Sequence, residues 1–140
     1  MSDYREIFQS YLDMDDESRN DIACKCVNNI MSHLEYLYDV DFAVARVMDM
    51  FSVFCCVDGV VNRDEYNLFI AATGADVDYD TFFEATNTGT YRSEIENLYN
   101  FLSVQDSDFV SEVFVLALCI LASNGTLTVK EQQFLEEYFG

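Results

Sequence analysis

The sequence predicts an all-α single domain over residues 1–140, a bundle of seven to eight helices with two pseudo-repeated helical hairpins. Three observations carry this reading. The chain has no proline and only five glycines, so long helices meet little opposition. About half of its residues are hydrophobic and 15% are aromatic, material for a core that buries roughly 68–70% of the unfolded chain's surface. Finally, a turn recurs: Val57-Asp58-Gly59-Val60-Val61-Asn62-Arg63-Asp64-Glu65 returns loosely as Ser123-Asn124-Gly125-Thr126-Leu127-Thr128-Val129-Lys130-Glu131, at a constant offset of 66 residues. Each copy sits between an apolar run and a second helix-like run, and such a repeat dictates architecture more than chemistry.

The elements follow in order. Ile7, Phe8, Tyr11 and Leu12 make one apolar stripe and predict a first helix from Asp3 to about Met14, with Asp3 and Glu6 at capping-box spacing. Asp15, Asp16 and Glu17 then suit the positive end of a second helix, Glu17 to Tyr38. Its stripe is read as Ile22, Cys26, Asn29, Ile30, His33, Leu34, Leu37 and Tyr38. Asp41 is a candidate N-cap for a third helix, Phe42 to Val57, whose second half is apolar nearly all round and belongs at the centre of the packing. Gly59 leaves that helix, Asn62 caps the next, Glu65 reaches back from the third helical position, and the helix stops at Gly74. The second copy uses Gly125, Thr128 and Glu131 in the same roles. Between the copies lie helical segments at Asp78–Thr86, Arg92–Leu102 and Asp108–Ala122, the last strongly apolar.

The net charge of −19 argues against nucleic acid and anionic membrane surfaces as partners, and favours divalent cations and basic protein surfaces. No apolar run is long enough to span a membrane, and the acidic, polar N-terminus is unlike a signal peptide. Cys24, Cys26, Cys55, Cys56 and Cys119 form no disulfide framework and read as reduced thiols of a cytoplasmic protein. Cys24-Lys25-Cys26 could offer two thiolates to a metal, but no second pair completes a zinc site.

An apolar helix, Asp-Gly, two residues, a capping residue and Glu three further on: this pattern, seen at Asp58, Gly59, Asn62 and Glu65, resembles the TerB family named from tellurite-resistance operons. The second copy, Asn124, Gly125, Thr128 and Glu131, matches with Asn in place of Asp. The resemblance covers residues from about 15 to 140, and the same fold occurs at the N-terminus of membrane-anchored DnaJ-like co-chaperones. It implies a helical bundle of about seven helices in two related halves. It also implies a non-enzymatic role in bacterial stress or metal response, acting through metal ions or partner proteins.

Candidate sites are few. Asp58 and Glu65 could form a carboxylate pair for a cation, but a helix stop and a capping box explain them as well. Asp76, Asp78 and Asp80 alternate like positions 1, 3 and 5 of a calcium loop. The loop fails at Thr81, where glycine is needed, and at Asn87, where the bidentate glutamate is needed. What survives is an irregular hard-cation site with Glu84, set against Asp78 or Asp80 as a helix cap. His33, the single histidine, lies on an apolar face, which leaves no ordinary catalytic triad, and no phosphate-binding or redox-cofactor motif occurs. The expected function is therefore a non-catalytic interaction module without an organic cofactor, a divalent-cation-binding protein being the alternative. Tyr36, Tyr38, Tyr66, Tyr79, Tyr91, Tyr99, Phe82 and Phe83 lie near acids; any that are exposed would make an acidic-aromatic surface for a basic protein, with no deep pocket.

Overall fold

The computed structural model describes residues 4–57, 61–86, 91–123 and 128–139. Eight helices and no strand occur among the described residues: α1 (Tyr4–Asp13), α2 (Asp16–Leu37), α3 (Val40–Cys55), α4 (Arg63–Thr73), α5 (Tyr79–Thr86), α6 (Tyr91–Leu102), α7 (Ser107–Ala122) and α8 (Val129–Phe139). α2 is the spine and packs chiefly on α7, α4 and α3. α1 closes one side through fully buried Phe8, against α7 and α8.

The caps decide where helices begin. The Asp15 carboxylate accepts from Ser18 N–H at 2.7 Å and opens α2. α3 starts earlier than the sequence suggests, because Asp39, not Asp41, accepts from Phe42 N–H at 2.7 Å. The link between α2 and α3 therefore shrinks to Tyr38 and Asp39. Asn62 and Glu65 form the complete capping box of α4, with both bonds at 3.0 Å. Thr128 and Glu131 do the same for α8, at 2.9 and 3.1 Å. Gly74 ends α4 at φ 70°, a left-handed position where a Cβ is strained, while its N–H bonds to the Ile70 carbonyl.

The repeat reappears in the packing. Every buried position of α3, namely Ala43, Val47 and residues 50–55, has a buried counterpart 66 residues later in α7: Phe109, Val113 and residues 116–121. Glu65, Leu68 and Phe69 of α4 likewise pair with buried Glu131, Phe134 and Leu135 of α8. The two hairpins thus share lengths (16 and 11 residues in each) and buried faces, although α3 is slid one residue toward its N-terminus. As expected, the apolar second half of α3 lies in the core, and that of α7 is buried with it.

The buried stripe of α2 is Arg19, Ala23, Cys26, Val27, Ile30 and Leu34. Leu37 and Tyr38, assigned by periodicity to the apolar stripe, are about half exposed, because the last turn of α2 emerges toward solvent. At the other end, buried Arg19 donates to the carbonyls of Tyr11, Leu12 and Met14 at 2.8, 3.3 and 2.8 Å, and to the Asp16 carboxylate. Those carbonyls belong to the last turn of α1 and the residue just after it, so the guanidinium acts as a long-range cap for the helix.

Candidate interaction surface

The motif residues divide into those with settled local roles and those outside the described residues. Asp58, Gly59, Asn124 and Gly125 lie outside them. Glu65 and Glu131 are buried, and each carboxylate accepts from the backbone N–H of its own N-cap residue. Their geometry is that of helix starts.

Asp78 opens α5 by accepting from Thr81 N–H at 2.8 Å, a bond that holds its carboxyl below the usual carboxylate range. Asp76, Asp80 and Glu84 are exposed. Among the described residues, no three His, Cys, Asp or Glu side chains converge as a metal would require. The connection before α5 is tied down by tyrosines: Tyr66 O–H donates to the Val77 carbonyl at 2.6 Å, and Tyr79 O–H to the Val61 carbonyl at 3.4 Å.

Among the thiols, Cys26, Cys55 and Cys119 are buried, the first and last with shifted acidity. Burial pushes both up to about 12, helped at Cys26 by a hydrogen bond to Glu112. They stay protonated and unreactive at neutral pH. Cys24, two residues from Cys26, is half-buried, and Cys56 donates to the Thr86 carbonyl at 3.3 Å. His33 is half-buried, with its ring 4.7 Å from that of Phe109 and its Nε2 shielded without a hydrogen-bond partner. Asp106, Asp108 and Glu112 line the same hollow of about 290 Å³. Asp106 there caps α7 through Phe109 N–H, and Glu112 accepts from Asn29 at 3.2 Å.

What stands out is the corner where α2 turns into α3. Tyr36 is 89% exposed, Val40 56%, and Leu37, Tyr38 and Val44 49% each. Tyr38 packs on Phe42 with ring centroids 4.3 Å apart, and Phe42 contacts Phe101 of α6, so aromatic contacts tie the corner to α3 and α6. Tyr99 and Val104 add exposed apolar area along α6 and just beyond it. Glu35, Asp39 and Asp41 stand among these side chains, and no Lys or Arg occurs between Cys26 and Ala45. Tyr36, Tyr38 and Tyr99 thus behave as the surface tyrosines the composition allows, whereas Phe82 is core and Tyr66 and Tyr79 are half-buried braces.

The surface also holds a concavity, where the sequence pointed to a surface with no deep pocket. An open cleft of about 570 Å³ lies between α2, α3 and α4, floored by Val27, Met31, Val47, Met48 and Phe69, with Val44 on its edge. Its residues were legible only as parts of apolar helices, since a concavity depends on how three helices splay. Comparison of the chain with protein-family models, with curated proteins and with solved structures finds no match. No described helix is long and apolar enough to cross a membrane.

Proposed function

We propose that this protein is a non-catalytic interaction module of TerB type, acting in a bacterial stress or metal-resistance setting, whose partner is a basic protein surface. The observation that carries the reading is the α2–α3 corner: five large apolar side chains held in solvent among carboxylates, the nearest base along the chain, Arg46, lying over the Phe42 ring at 5.1 Å and paired with Asp49. Exposed contiguous apolar surface of this kind marks interaction sites, and tyrosine is a frequent anchor. The net charge of −19 supports a partner of opposite sign, steered by long-range attraction. The TerB setting rests on the resemblance of the twice-used turn.

Affinity capture from the native cell tests this, comparing the natural chain with a Tyr36→Ser, Leu37→Ser, Val40→Ser variant. A stoichiometric partner that the variant loses, and that elutes earlier as salt rises, is the expected result. Equal capture by both chains, or none by either, would defeat the reading. The alternative, cation binding through the 76–84 stretch, predicts a raised melting temperature in millimolar calcium; the module reading predicts no change.

A further inference from the structure

The cleft beside the corner has a chemistry of its own. Its floor is apolar, and its edge residue Val44 also belongs to the exposed corner, so the two form one continuous surface. Lining positions on α2 recur each turn, at 27–28, 31–32 and 35, over about 12 Å at 1.5 Å per residue. That length fits about two turns of a helix laid in the groove. Met31 and Met48 add unbranched, adaptable side chains of the kind that accommodate helix faces. An extended peptide would need a sheet edge for its backbone groups, and among the described residues there is no strand. A helix satisfies its own backbone and needs only side-chain contacts.

The electrostatics select the sign of the occupant. Among the described residues, Glu35 is the one ionisable side chain lining the cleft. The last turns of α2 and α4 both reach it, through Glu35 and Thr73, and neither carries a base to offset the negative end of its helix dipole. Arg46, the nearest cation along α3, is held by Asp49 at 2.9 Å. Residues 64–91, which follow the cleft from α4 onward, contain no Lys or Arg. An anionic amphiphile would place its charge against all three negative features.

Resting on the interaction reading above, we infer that this cleft receives an amphipathic helix of the partner protein, with its apolar face on Met31, Met48 and Phe69 and a lysine or arginine against Glu35. The chain carries its own probes. With methyl-labelled methionine, a synthetic 15-residue helix bearing leucines at helical spacing and flanking lysines should shift the Met31 and Met48 signals. Met50, sealed in the core, should stay still. A peptide of the same composition in scrambled order, and one with glutamate for lysine, should leave both signals in place. Glu35→Lys, at an exposed position, should keep the melting temperature and weaken the lysine helix roughly 3–10-fold.

Equal shifts from the scrambled or acidic peptide overturn the inference, as do shifts from decanoate alone or unchanged affinity in Glu35→Lys. The captured native partner separates the two readings. Loss of capture in the corner variant, with Met31 and Met48 unmoved by the partner, keeps the interaction surface and removes the cleft. A cleft that takes the lysine helix in a chain that captures nothing removes the former and keeps the latter.

Discussion

In the first hairpin Val44 stands 49% exposed on the edge of a cleft; 66 residues later, Val110 is half-buried against the core. The two hairpins are otherwise closely matched in length, capping and buried face. Where they differ, the first turns its outer side to solvent at the α2–α3 corner, and the neighbours change: α3 packs on α2, α5, α6 and α7, whereas α7 packs on α1, α2, α3 and α4. The shared positions therefore report on how the chain folds. The unshared ones, Val40 and Val44 beside Glu35, report on what it meets.

Mutations at paired positions can break this comparison. The largest effect belongs to the core: Met50→Ala and Leu116→Ala, both at fully buried positions, should each cost about 2–5 kcal/mol in urea unfolding. Values far apart would mean that the matched burial hides unequal packing. Next come the caps, where Asn62→Ala and Thr128→Ala should each cost about 0.5–2 kcal/mol. Val110→Ser should cost about 1 kcal/mol, whereas Val44→Ser should stay within about 0.5 kcal/mol and lose its effect to binding instead. Equal destabilisation at 44 and 110 would erase the proposed division between folding and contact faces.

The smallest effect separates the charged caps from the neutral ones of the repeat. Asp78 is held below the usual carboxylate range by the Thr81 N–H. Its charge thus stabilises the fold above the ordinary carboxylate pKa, and that contribution disappears as pH falls through the lower, folded value. Asparagine keeps the cap without the charge. Thermal melts of the natural chain and Asp78→Asn should therefore differ slightly at pH 7 and converge on acidification, while Asn62→Ala and Thr128→Ala differ from the natural chain at both ends.

Much of this fold could be read from residues because its signals are local. Capping needs only Asn62 or Thr128 with a Glu three positions on, and helix periodicity needs only neighbours along the chain. The reading slipped where local signals compete. Asp39 and Asp41 are equally good caps on paper, and the choice falls to Asp39 because its carboxylate meets the Phe42 N–H. Leu37 looks like core by spacing, yet it lies in the last turn of α2, where the helix leaves its neighbours. The candidate surface was legible only as composition, tyrosines near acids. Which tyrosines reach solvent, and where α2, α3 and α4 part to leave a cleft, depends on tertiary packing that no single segment contains.

The clasp made by Arg19 has a consequence for how the chain tolerates change. Its guanidinium grips the carbonyls of Tyr11, Leu12 and Met14, atoms that every residue type supplies. This hydrogen-bonded latch is therefore independent of which side chains occupy those three positions, although Tyr11 and Leu12 also pack on the core, and it depends on one long cation eight residues beyond the first of them. Drift in the sequence of the α1 end leaves the latch intact, and a single substitution at 19 releases it.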